Sequence, residues 1–418
     1  MKLDDIVKNK LKEIVANHCV QGGSMTAPFV GERSGYTISM DDEALRLLSE
    51  TIRKIMTFRP KIKEKFTDNY LQDRLIDIIF SCHIAPPSDL DIKLQQETRR
   101  LLRRLHRTIE SWVFLIPIVN LKMIGLKKIS IGEVDFYDLN PKTFKYLELE
   151  FGTKMGHEKT LAKRRSVLTR DNIHVISVTK ATAGETEKAK NLALYKVDSS
   201  LNVLRLYNFV NDVGIQRGFS TSFSRENIYF QNLRTGTIGA THGGLPPPSF
   251  FPFSITKSAL KQMRRFQFRN FSKLLRGKWP TKLAEKLAMA IHWYGLAVKD
   301  KYGVDKIIKL TVALESLLLR REDRLKKQLL AERAAFILGK DGKSRKEIFE
   351  IVEELYTLRS DIVHEGKHDI SEEDTLRLLE LVRILIHAMM KISLRVTSLK
   401  DIDKRIKEIK FGSHIRGV

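Results

Sequence analysis

The sequence predicts a mainly α-helical chain with an α+β middle domain and a C-terminal antiparallel helical bundle. Three observations carry this. Apolar residues recur at helical spacing through residues 1–110; from Trp112 to about 255, short alternating stretches with glycines at turn positions replace that period; from 256 onward the helical period returns in long segments joined by short loops. The expected domains are 1–110, a helical N-terminal region; 111–255, an α+β domain with short strands; and 256–418, a helical bundle with a basic C-terminal tail.

In the first region "LDDIVKNKLKEIV" is amphipathic, and "MDDEALRLLSETIRKIM" begins with acids and ends with bases, as the helix dipole prefers. "PKIKEKFTDNYLQDRLIDIIFSCHI" reads as a third helix opened by Pro60, and "APPS" breaks the chain before "DLDIKLQQETRRLLRRLHRTIESW". In the middle, "VFLIPIVNL" is a short apolar run, "KMIGLKKISIGEVDFYDL" and "NIHVISVTK" read as strands, and "ETEKAKNLALYKVDSSLNVLRLY" has a helical period. "GFSTSFS" and "NIYFQNL" are strand-like, and the proline-rich "GGLPPPSFFPF" (243–253) closes the domain as a linker.

After it come five helices: "KLAEKLAMAIHWYGLAVK", "VDKIIKLTVALESLLLR", "DRLKKQLLAERAAFIL" ended by Gly339, "SRKEIFEIVEELYTLRSDIVH" ended by Gly366, and "SEEDTLRLLELVRILIHAMMKISLRV". Ser371 and Asp374 give the last a capping-box-like start, and "DIDKRIKEIKFG" adds a basic tail helix. No internal repeat is visible.

Of 418 residues, 42% are hydrophobic, enough for a sizeable core, and no apolar run approaches the ~20 residues of a membrane span. The N-terminus lacks the apolar core of a signal peptide, and two cysteines, Cys19 and Cys82, make neither a disulfide framework nor a CxxC zinc site, so a reducing, cytoplasmic setting is expected. Seventy-four basic residues against fifty acidic ones leave a net charge of +24 and a pI near 9.8. That excess favours a nucleic-acid partner over a membrane, since no amphipathic anchor is present; the bland alternative is a Lys/Arg/Glu-rich solvated surface.

The stretch "LYTLRSDIVHEGK" (355–367) carries the chemistry. Ile348, Val352, Leu355 and Ile362 form an apolar stripe, and Arg359 interrupts it. A buried, unpaired arginine costs several kcal/mol, so Arg359 needs a carboxylate or an anionic ligand. Glu315, which interrupts "VALESLLL" in the same way, is the candidate partner, and a purely structural Glu315–Arg359 ion pair is one complete explanation. His364 offers another. It stands five residues after Arg359, ~500° of helical turn, or ~140° between side chains, with Gly366 close by to end the helix and let it swing free. A guanidinium binds the non-bridging oxygens of a phosphodiester, and a histidine takes or gives a proton. In RNA the 2′-hydroxyl is itself a nucleophile, so such a site calls for no metal and no cofactor.

Arg, four residues and His at the end of a bundle helix, preceded by "LTVALESLLL" and "ERAAFIL", resembles the HEPN superfamily (higher eukaryotes and prokaryotes nucleotide-binding), most of all its Apea-like domains, over about residues 281–396. The resemblance implies a metal-independent ribonuclease working as a homodimer, often in phage defence or toxin systems, with Arg359 and His364 catalytic. Glu315 and Asp361, with Ser360, would support them. Many relatives carry Asn, Asp or His directly after the arginine where this chain has Ser360 and then Asp361, which leaves room for a HEPN module that only binds nucleic acid or dimerises.

Rival motifs are weaker. "HEGKH" (364–368) matches the H-E-x-x-H of zinc proteases, but Gly366 inside it and a new helix start at Ser371 make it an interhelical loop. "VQGGSMTAPFVGERSG" lacks the G-K-[ST] of a phosphate-binding loop and reads as a flexible loop. Arg99, Arg100, Arg103, Arg104 and Arg107 spread over one helix as either a solvated face or a phosphate-tracking face, and Arg264 and Arg265, with Arg269, Arg164 and Arg165, are vaguer candidates of the same kind. His292 and His387, inside helices, read as core or surface residues rather than ligands.

Overall fold

Among the described residues six helices begin by one device. The side chains of Asp41, Thr67, Thr256, Thr281, Asp341 and Ser371 each accept a hydrogen bond from the backbone N–H three residues on, at 2.8–3.2 Å. Each satisfies a donor that a helix start leaves free. The computed structural model describes residues 3–21, 29–33, 36–84, 86–107, 109–140, 143, 145–146, 174–207, 216–217, 226–232, 238–243, 253–277, 281–300, 302–366 and 368–411. Helix takes up 70% of the residues described, with a smaller amount of sheet from the middle of the chain. The strand-like stretch 218–224 and the linker residues 244–252 lie outside the described residues, as do Arg164 and Arg165.

The chain forms two units: 1–113 with 180–193 and 231–237, and 114–179 with 194–230 and 238–418. Segments 180–193 and 231–237 come from the stretch read as a middle domain. In the first unit α1 (Leu3–Asn17), α2 (Asp42–Phe58), α3 (Pro60–Lys65), α4 (Asp68–His83) and α5 (Leu90–Arg107) enclose one apolar core. Two readings are corrected here. The single helix expected from Pro60 is two helices, because buried Phe66 turns extended and Thr67 caps a fresh start. Gly184 explains the turn: a Cβ there would lie 2.2 Å from the Phe66 ring, and its N–H donates to Lys65 O at 2.9 Å. The region 1–110 is also not all helical. β1 (Cys19–Gln21), β2 (Phe29–Arg33) and β3 (Tyr36–Met40) form an antiparallel sheet in the order β1-β3-β2, with β2 inside the stretch 20–35 read as a loop and β3 just after it.

In the second unit most of a seven-stranded sheet is built from β4 (Glu110–Val119), β6 (Lys128–Ile131), β7 (Val134–Asp138), β8 (Val175–Ala183), β9 (Gln216–Arg217), β10 (Glu226–Asn232) and β11 (Ile238–Gly243). Its order is β11-β10-β4-β8-β7-β6, with β9 beside β4; β5 (Leu121–Ile124) pairs in parallel with β12 (Phe253–Thr256). The apolar run "VFLIPIV" is buried throughout within β4. α6 (Thr186–Arg205) follows β8, and its Ser200 donates to Ile131 O at 2.9 Å.

Among the described residues eight helices follow β12: α7 (Lys257–Arg265), α8 (Phe268–Leu275), α9 (Lys282–Lys299), α10 (Gly303–Leu318), α11 (Lys326–Leu338), α12 (Gly342–Glu365), α13 (Glu372–Ile392) and α14 (Leu399–Lys410). α9 packs along α10, α11 along α12, and α13 lies against α9, α10 and α11. α8 is tied back to the sheet side: Gly132, at φ +59, donates its N–H to Ser272 Oγ at 3.0 Å, and Arg276 Nε donates to Gly132 O at 2.7 Å. Among the described residues no helix is long and apolar enough to cross a membrane.

Candidate functional site

α12 is the longest helix of the C-terminal set and holds the Arg359/His364 pair. Asp341 and Ser344 close a capping box at its start, and Gly366, at φ +70, caps its end with its N–H on Asp361 O. Only glycine takes that left-handed position without strain. The helix therefore runs regularly through His364. His364 does not swing free, as the sequence alone allowed; it is exposed in the last turn, ~140° around the helix from Arg359. One chain does not bring the two side chains together.

Arg359 lies in the stripe of Val352, Leu355 and Ile362, all three buried, and is itself half-buried rather than enclosed. The expected Glu315–Arg359 ion pair does not form. Glu315, half-buried on α10, instead accepts a hydrogen bond from Tyr356 Oη at 3.0 Å. Tyr356 stands one turn before Arg359, ~60° around the helix. Burial pushes the Tyr356 phenol above its ordinary range, and the Glu315 carboxylate pushes it further, with the Arg359 charge opposing. The phenol thus stays protonated and remains a donor to Glu315. Among the described residues Arg359 has no carboxylate within ion-pair distance. The arrangement is a half-buried guanidinium without an ion-pair partner among the described residues, near a tyrosine whose hydroxyl is given to Glu315. A guanidinium in this state can pair with an oxyanion.

Asp361 and Ser360 do not join it. Asp361 lies ~160° around the helix from Arg359 and lines a shallow depression of about 360 Å³ with Glu354, Asp374 and Arg377. Arg377 sits 3.8 Å from Glu354 and 3.9 Å from Asp374 there. Ser360 is half-buried and makes no hydrogen bond among the described residues. His364 and His368 flank the Gly366 cap and are not on one helix, so "HEGKH" lacks the geometry of a zinc protease. Among the described residues no three His, Cys, Asp or Glu side chains cluster as metal ligands would.

In the first unit Arg99, Arg100 and Arg103 line a shallow depression of about 470 Å³ on α5, with Ile92, Gln95 and Gln96. Arg100 pairs loosely with Glu97 at 3.7 Å; Arg99, Arg103 and the exposed Arg104 have no carboxylate among the described residues. The Arg107 side chain lies outside the described residues. In the second unit Arg264, Arg265 and Arg269 are exposed, the first two in the last turn of α7, where the helix dipole favours cations.

Two features were missed from the sequence. Tyr356 is one, a flank residue of the stripe that reads as ordinary packing. The other is Arg333, in the motif "ERAAFIL", which is 1% exposed. It holds Asp403 with two bonds, Nε at 2.8 Å and Nη2 at 3.0 Å, and also Asp323 and the carbonyl of Leu318. Arg320 joins the same two carboxylates at 3.1 and 3.0 Å. Burial pushes the Asp323 carboxyl up, but the Arg333 bond, the Arg320 N–H and both guanidinium charges outweigh it and hold it at about 2. An arginine among alanines was the signal; its partners lie too far along the chain to be read. Set against protein-family models, curated proteins and solved structures, the chain matches none.

Proposed function

We propose that the chain is a metal-independent RNA endonuclease of the HEPN type, serving phage defence or a toxin-like stress response. The observation that carries the reading is the state of Arg359: a cation placed in the apolar stripe of α12, with Glu315 diverted to Tyr356. The guanidinium would hold the non-bridging oxygens of the scissile phosphate and the charge that grows on them. His364 would act as general base on the 2′-hydroxyl or as general acid toward the departing 5′-oxygen. Attack by the 2′-oxygen forms the bond to phosphorus as the bond to the 5′-oxygen breaks, leaving a 2′,3′-cyclic phosphate and a 5′-hydroxyl. The ~140° between Arg359 and His364 calls for a homodimer in which both copies of 359–364 line one cleft.

The splay, together with Ser360 after the arginine, favours one second reading: a HEPN module that binds nucleic acid or assembles dimers without cutting. RNA incubated in EDTA with wild type, Arg359→Ala and His364→Ala separates the two. The nuclease reading expects cleavage to 2′,3′-cyclic ends and a loss of ~10²-fold or more in each variant. Equal cleavage by a folded His364→Ala protein removes the site assignment, and no cleavage by wild type leaves the binding module.

A further inference from the structure

α14 buries Leu399, Ile402 and Ile406. Its opposite character lies along one line. Lys400, Lys404 and Lys407 are exposed at steps of four and three residues, and Phe411 continues the line by another four. Phe411 caps the helix with its N–H on Lys407 O at 3.0 Å and is 86% exposed. Three cations and an aromatic ring thus share one face, the lysines spanning ~10 Å.

The same lysines border a groove of about 500 Å³ between α11 and α14, lined also by Arg320, Leu329, Glu332, Arg333, Asp403 and Lys410. Two carboxylates reach that lining, and both are occupied. Asp403 is held by Arg333 and Arg320, and Glu332 by Lys410. Among the described residues none of Lys400, Lys404 and Lys407 has a carboxylate partner. The buried arginine network therefore does more than fasten α14. It engages Asp403, one of two acids between Lys400 and Lys404 in sequence; the other, Asp401, is bonded to Ser398 at the helix start.

We infer that this face of α14 is a docking groove for single-stranded RNA, with the three lysines on successive phosphates and Phe411 under a base. Lysines are point charges that meet phosphate without reading sequence, and an exposed aromatic beside a cationic groove accepts any base by stacking. A membrane is a poorer fit, because the helix already buries its apolar stripe. The inference rests on RNA as the partner in the reading above but not on catalysis.

The test uses a fluorescent 2′-O-methyl oligouridine, which binds but cannot be cut through its 2′-oxygen. The full chain is titrated at several salt concentrations as wild type, as Lys400→Glu/Lys404→Glu/Lys407→Glu, as the same triple with Gln, and as Phe411→Ala. The Gln triple should lose at least tenfold in affinity, and its log–log salt slope should fall by ~2, about 0.7 for each phosphate that is no longer neutralised. The Glu triple should bind more weakly still. Phe411→Ala should lose roughly five- to tenfold with the slope unchanged, as stacking is not ionic. Unchanged affinity and slope in the Gln triple overturn the groove even if the wild type cleaves RNA. A weakened triple supports it even if nothing is cleaved. Wild-type binding to phosphatidylserine vesicles with none to the oligonucleotide also overturns it.

Discussion

The hydroxyl of Tyr356 occupies the carboxylate that the sequence paired with Arg359. Without that bond the half-buried Glu315 carboxylate would have no donor among the described residues, and Arg359 stands one turn from the lost hydroxyl. Tyr356→Phe should therefore let Glu315 close on Arg359 and compete with phosphate, lowering RNA cleavage by about tenfold, while the missing bond costs about 1 kcal/mol of stability. Adding Glu315→Gln should restore cleavage, since an amide does not neutralise arginine. Single-turnover rates of the two single variants and the double check this; a Tyr356→Phe protein as active as wild type would show that the diversion is only structural. His387 offers a second test at this scale. Its ring packs edge-on to Tyr207 and Phe271, both at 5.3 Å. Burial first, then the Arg383 charge, lowers it from 6.5 to about 4. Between those values the unfolded chain binds the proton and the folded chain does not, so stability present above about pH 6.5 is lost as the pH falls toward 4. The loss should be about 2 kcal/mol between roughly pH 7 and 5. Urea titrations of wild type and His387→Leu should show that slope only in the wild type.

At the scale of elements, what could be read from the sequence was what local chemistry decides. "KLAEKLAMAIHWYGLAVK" is α9 residue for residue, and Ser371 starts α13 with the bond to Asp374 that its spacing suggested. What could not be read depends on a distant partner. α3 and α4 part at Phe66 because Gly184 makes room for its ring, more than a hundred residues away. β1 to β3 exist because Tyr36–Met40 pairs on both sides, while each strand alone is too short for a clear alternation. Arg333 belongs to the same class. Its partners come from the loop after α10 and from α14, so the helix that carries the lysine row is fastened by a residue on α11. Removing the guanidinium leaves Asp323 and Asp403 to Arg320 alone and empties the space of a fully buried side chain, so Arg333→Ala should cost ~3 kcal/mol. Lys at 333 should rescue little, because it cannot hold Asp403 with two bonds. By contrast, Lys404→Gln on the surface should stay within about 0.5 kcal/mol of wild type. Urea midpoints measure all three, and an Arg333→Ala protein as stable as Lys404→Gln would mean the network is dispensable.

On the scale of the whole molecule, the charge of +24 and the arginine in an apolar stripe were visible at once; the partner of that arginine, and the spread of the pair around the helix, needed the backbone. Glu315 and Tyr356 are 41 residues apart in sequence, and nothing in either segment says which of two neighbours the carboxylate chooses. The spread has a consequence for assembly. α12 stays regular to Glu365, so no rotation within one chain brings His364 beside Arg359. If the proposed reaction is right, the two groups meet across a two-fold axis, where the same patch of each subunit faces its copy. Two such basic chains repel, so the dimer should tighten with added phosphate or RNA and with moderate salt. Mixing and re-equilibrating equal amounts of wild type and His364→Ala then gives about one quarter wild-type dimers and one half mixed ones. If both histidines serve one cut, activity should fall to about one quarter of that of wild type alone at the same total concentration, rather than to the one half expected from dilution of independent subunits. Sedimentation at the assay concentration shows whether dimers are present, and full activity from a monomer at nanomolar concentration would return Arg359 and His364 to separate roles on one chain.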